Sequence, residues 1–154
     1  MSSDLWSFSL STYARPGVEP ACLQLQSAGI NVCLLLCGLW LGERGVTCNE
    51  HRLQQLRSVA EPWDAEVVRP LRALRVNWKV VAEVDGELNA LREQVKALEL
   101  EAERHLLVRL ERTAQSWPQA DAADLAAWLA GVTAGAVHLD RDALHQLRVA
   151  ATGT

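Results

Sequence analysis

Cys33, Cys37, Cys48 and His51 follow one another in the spacing Cys-x3-Cys-x10-Cys-x2-His, four ligands of the kind that hold a structural zinc ion. Their context argues for a different role. Cys33 and Cys37 are one helical turn apart inside Val-Cys-Leu-Leu-Leu-Cys, where a packed helix wants a small apolar side chain and cysteine supplies one. Zinc sites place paired cysteines around a turn instead. The expectation is therefore core cysteines, no metal and no cofactor. Cys48 is the exception to watch, because a thiol near a helix N-terminus has a lowered pKa and becomes sensitive to oxidation.

A second constellation is basic. Arg69, Arg72, Arg75 and Lys79 recur at spacings of 3, 3 and 4 with no acidic residue between them, which sets all four along one broad side of a helix. A local charge of +4 suits a phosphate-rich ligand, a nucleic-acid backbone or an anionic surface. The competing reading is internal: Glu83, Asp85, Glu87, Glu93, Glu99, Glu101 and Glu103 follow on the next helix and offer many partners.

Catalysis finds less support. His51, His105, His138 and His145 are scattered, and no glycine-rich phosphate loop, Gly-x-Ser-x-Gly or His-Glu-x-x-His occurs. The large rings of Trp6, Phe8 and Tyr13, with Trp40, Trp63 and Trp78, either form the core or line a pocket between helices.

The elements that must position these residues are helical throughout. Ser3 or Asp4 caps a helix over 5–14, ended by Arg15-Pro16-Gly17; Pro20 opens a second to Ser27, ended by Gly29. Asn31 caps a third over 32–43. Thr47-Cys48-Asn49-Glu50 reads as a capping box that opens a fourth, to about Ala60. Glu61-Pro62 should break that helix and begin a fifth, with Trp63, Val67, Leu71, Leu74, Trp78 and Val81 as one apolar stripe and a kink or break near Pro70. Asp85-Gly86 caps a long sixth helix to about residue 116. Its Leu88, Leu91, Val95, Leu98 and Ala102 alternate steps of three and four, a heptad-like seam that lasts about two heptads and suits an antiparallel hairpin within the domain rather than an extended coiled coil, while a dimer could use the same seam. Asp121 and Asp140 should cap two short closing helices, over 122–130 and 141–149. No stretch alternates long enough to demand a strand, and no repeat is visible.

These signals add up to a single all-α domain over 1–154, a compact bundle of about seven to eight helices. With 49% hydrophobic against 22% charged residues the chain is far from the composition of disordered segments. A net charge of -4 argues against a surface given over entirely to nucleic acid. The N-terminus lacks the pattern of a secretory signal, and the most apolar run, Ile30 to Leu41, is shorter than the roughly 20 residues a bilayer requires. Reduced thiols in the cytoplasm are expected.

Three blocks, Asp4-Leu5-Trp6-Ser7-Phe8-Ser9-Leu10 with Tyr13 to Val18, Asn31 to Leu36 with Leu39-Trp40-Leu41, and Trp63 with Val67 to Arg72, resemble a family of small gammaproteobacterial proteins known as a domain of unknown function. The resemblance spans about residues 4 to 80. It implies a bacterial cytoplasmic setting, and it brings no activity, substrate or catalytic residue with it.

Function is thus expected to be non-enzymatic: an interaction module acting through a partner, first a protein, otherwise a nucleic acid or other polyanion. The contact surfaces would be the basic side of the fifth helix and the hairpin around Leu88 to Ala102. The alternatives are a small-molecule or lipid-like ligand pocket lined by Trp6, Trp40, Trp63 and Trp78, and a metal or redox site at Cys33, Cys37, Cys48 and His51.

Overall fold

The run Val-Cys-Leu-Leu-Leu-Cys-Gly-Leu-Trp-Leu-Gly has no polar side, so a helix made from it must be covered all round. It becomes α3 (Val32–Glu43), in which every residue from Cys33 to Gly42 is buried. The computed structural model describes residues 4–120, 123–134, 136 and 140–152. In chain order they form α1 (Asp4–Tyr13), α2 (Val18–Ser27), α3, α4 (Glu50–Trp63), a π-helical turn (Asp64–Val68), α5 (Arg69–Ala82), α6 (Gly86–Ala114), α7 (Leu125–Val132) and α8 (Arg141–Thr152). The only β feature among the described residues is an isolated bridge between Val46 and Gln119.

Helix α3 is the hub, packing on α1, α2, α4, α6, α7 and α8. Its closest neighbour is α7, and glycine is what allows the approach: a Cβ at Gly42 would lie 2.7 Å from the Cα of Leu125. Buried Trp128 of α7 then reaches past α3, donating from Nε1 to the Val46 carbonyl at 2.6 Å and stacking on Trp117. Asn31 caps α3 through a bond from Leu34 N at 3.1 Å, and Asp85 caps α6 through Leu88 N at 3.1 Å. Asp140 accepts from Ala143 N at 2.9 Å ahead of α8.

Three local expectations need correcting. The Thr47 capping box does not form: α4 starts at Glu50, so the N-cap is Asn49, whose side chain accepts from Arg52 N at 2.9 Å, and the Thr47 hydroxyl sits too early in the chain. Pro62 does not break α4 but lies inside it. Pro62 and Ser58, whose carbonyl loses its partner, are both on the exposed side, where the loss is tolerable. As expected, the α-helix does not run unbroken through Pro70. A π turn precedes it, with Arg69 N bonding to the Asp64 carbonyl, and the extra residue absorbs the ring that an α-helical register would press against Glu66. Finally, Asp121 and Ala122 lie outside the described residues, and the helix expected there starts at Leu125, after Asp124.

The joined α4, π turn and α5 run alongside α6, but only their first half meets the body. Beyond the π turn, α5 packs against α6, and the two form an antiparallel arm closed by the turn at Glu83–Asp85. Ala82 is the one residue of α5 that is buried. The expected stripe on this helix is correspondingly incomplete: Trp63, Val67, Leu71 and Trp78 are half-buried, while Leu74 and Val81 are 39% and 53% exposed. One helix neighbour covers a narrower strip than a core does.

Candidate functional site

The arm has two flanks of opposite chemistry. At about 100° per residue, Arg72, Arg75 and Lys79 lie on one flank of α5, and Lys96, Glu99 and Glu103 on the matching flank of α6. Leu74 and Val81 lie on the other flank of α5, seven residues apart, beside Leu91 and Leu98 of α6, also seven apart. Leu91 is 51% exposed and Leu98 56%. Val76, Val80 and Val84 extend the exposed aliphatic surface around α5 towards the tip.

On the charged flank, Glu99 is the centre. Its side chain is only 9% exposed and takes Arg75 Nε at 2.5 Å and Arg72 Nε at 3.2 Å. Arg75 Nη2 adds a second bond at 3.3 Å, giving a forked pair. Arg72 also reaches Glu103, at 3.6 Å. At the root of the arm Arg69 Nε meets buried Asp64 at 2.6 Å, a pairing that the π turn favours by bringing residues five apart onto one side. Arg92 Nε donates to the Arg75 carbonyl at 2.8 Å and ties the two helices together. The expected basic stripe is thus mostly spent inside the protein. Among the described residues Lys79 makes no ion pair.

Between this flank and the α1–α2 corner opens a cleft of about 810 Å³. Its floor is apolar, with Ile30, Leu36, Leu106 and Leu107 buried and Trp6 and Val32 partly so. Its polar wall is Arg69, Arg72, Arg75, Glu99 and Glu103. Burial, and after it the charge of Glu99, push the Glu103 carboxyl up to about 7 against the opposing effect of Arg72 and Arg75. Burial likewise pushes the Tyr13 phenol up to about 12, with Cys22, Glu19 and Glu103 adding to it, so Tyr13 faces the cleft as a neutral hydroxyl. Ser9 also lines the cleft. It is 4% exposed and its Oγ has no hydrogen-bond partner.

The aromatic residues expected to share one pocket are dispersed. Of Trp6, Trp40, Trp63 and Trp78, the cleft takes Trp6. Trp40 is buried in α3 with the Arg44 guanidinium 4.4 Å from its ring. Trp63 donates to the Ala102 carbonyl at 2.9 Å beneath Arg109, and Trp78 is half-buried on the arm.

The cysteines are likewise apart. Cys33 and Cys37 are buried in α3, and burial holds both thiols well above their ordinary range. No group of three His, Cys, Asp or Glu side chains placed to hold a metal occurs among the described residues. His51 is exposed at the start of α4. Cys48 departs from expectation in direction: its thiol is pushed up, first by burial and then by Asp124 and Glu50, with Arg52 opposing. Its thiol donates to the Ala127 carbonyl at 3.6 Å. His105 and His145 are exposed, and His138 lies outside the described residues.

Two features escaped the sequence reading. Glu99 shares the inward side of α6 with Val95 and Ala102, an acid in an apolar register that signals a buried ion pair. The cleft itself joins α1, α2 and α3 to the arm, and no local pattern announces such an assembly.

Residues 4–110 match the model of the family described as Protein of unknown function (DUF2390), and the chain belongs to that family. No curated protein and no solved structure matches it. No helix among the described residues is long and apolar enough to cross a membrane.

Proposed function

We propose that this member of a family of unknown function is a non-enzymatic interaction module that docks a helical segment of a partner protein along the apolar flank of the α5–α6 arm. The observation behind this reading is the exposure of Leu74, Val81, Leu91 and Leu98, 39% to 56%, on one flank of a two-helix arm. Fully burying such a side chain contributes about 1.5–3 kcal/mol, and with 39% to 56% left exposed the chain forgoes roughly half of that at each of four neighbouring positions. Scattered exposed leucines need no explanation, whereas a contiguous strip does. The seven-residue spacing on both helices is the repeat that lets a third helix lie along them at a shallow angle.

The reading is tested by Leu91→Glu with Leu98→Glu. Both side chains are just over half exposed, so the melting temperature should stay within about 3 °C of the parent, as for surface substitutions generally. Proteins retained by the parent chain from its native host should be lost by the double variant. Retention of the same proteins by both would remove the flank as the docking surface. A cytoplasmic setting is part of the proposal, supported by cysteines that are all unpaired.

A further inference from the structure

The cleft at the root of the arm combines an apolar floor with a pair of partly accessible guanidiniums. We propose that it binds an amphipathic organic monocarboxylate, its acid group held by Arg72 and Arg75 and its apolar body lying over Ile30, Val32 and Leu36. This site is separate from the apolar flank of the arm, and the two readings stand or fall independently.

The sign of the ligand's charge follows from what each ionic group shows to the cleft. The carboxylates of Glu99 and Asp64 are the enclosed members of their pairs, each 9% exposed, whereas the guanidiniums of Arg72 and Arg75 are 23% and 28% exposed. The two guanidiniums thus show N–H donors to the cleft, beside the Glu103 side chain, which is 31% exposed. Each guanidinium has five N–H groups in a fixed fork, and Glu99 uses three across the two residues, leaving donors for a second carboxylate. The acid that stands closest to that role within the chain is Glu103, which holds Arg72 only at 3.6 Å and sits against the charge of Glu99. It is a weak occupant, displaced by a ligand acid as it takes up a proton.

Size agrees with this class. A volume of about 810 Å³ lies in the range of about 300–1,000 Å³ typical of small-molecule sites.

Isothermal titration of the full chain at pH 7 with decanoate, decylamine and decanol tests the proposal, since the three share a chain and differ in head group. Decanoate should bind at least tenfold more tightly than the other two. Val32→Trp should fill the cleft and abolish decanoate binding. Glu103→Gln, which removes the competing carboxylate, should tighten it severalfold; this gain is readable even if Val32→Trp fails to fold. Preference for decylamine, equal binding of all three, weaker decanoate binding in Glu103→Gln, or no binding of decanoate would each overturn the proposal.

Discussion

Helices α3 and α5 are of similar length and are treated oppositely by the fold. In α3, ten of twelve residues are buried, and in α5 one of fourteen is. The periodic pattern is much clearer in α5, where polar and apolar positions alternate by turns, than in α3, which is apolar throughout. The contrast teaches that an apolar stripe states a capacity for burial, and that neighbours decide how much is used. Helix α3 has six packing partners, whereas α5 has α6 and the π turn that leads into it. What α5 and α6 leave uncovered is then available to another chain.

That comparison can be broken most severely from the α3 side. Leu35 is fully buried, and Leu35→Ala should cost about 3 kcal/mol, the usual range for a core leucine, read as a lowered urea midpoint at unchanged slope. A loss below about 1 kcal/mol would mean that α3 is not the centre of the core. Next in size is Glu99→Ala. Because Arg72 and Arg75 retain some contact with water, losing their shared carboxylate should cost about 2 kcal/mol rather than the full cost of orphaning a buried charge.

A smaller effect is expected in the pH dependence. In the folded chain Glu103 keeps its proton up to about 7, against an ordinary value of 4.5, first through burial and then through Glu99. Between those values the folded state binds more protons than the unfolded one, so stability falls as pH rises from about 5 and levels off above about 8. Arg72 and Arg75, which also face it, limit the size of the effect, while Tyr13 and Cys33 ionise too high to contribute in that window. Urea midpoints should therefore drop between pH 5 and pH 8, and Glu103→Gln should flatten that part of the curve. Smallest of all is Val80→Ala on the arm. Val80 is 73% exposed, and the change should move stability by less than about 0.5 kcal/mol in the isolated chain.

Much of the architecture was legible because its signals are local. Asn31, Asp85 and Asp140 cap the helices they should, and the long helix from Gly86 falls where its spacing put it. Pro62 misled, since it is tolerated on a solvent-facing turn, a tertiary outcome, whereas the interruption expected near Pro70 is there as a π turn. The basic residues on α5 were visible as a set. That three of them are engaged by Asp64, Glu99 and Glu103 depends on how α5 and α6 align, which residue spacing on one helix does not determine. The cleft was the least legible part, because Ser9, Val32, Arg72 and Glu103 come together from four helices.

The central claim, that the uncovered flank of the arm meets a partner while the body does not, is tested most directly by photo-crosslinking in the native host. A crosslinking phenylalanine analogue would be placed in turn at exposed Leu91 on the arm and at exposed Ser58 on α4. The account predicts a discrete crosslinked product from position 91, abolished by Leu98→Glu, and none from position 58. Equal crosslinking at both positions, or none at 91, would contradict it.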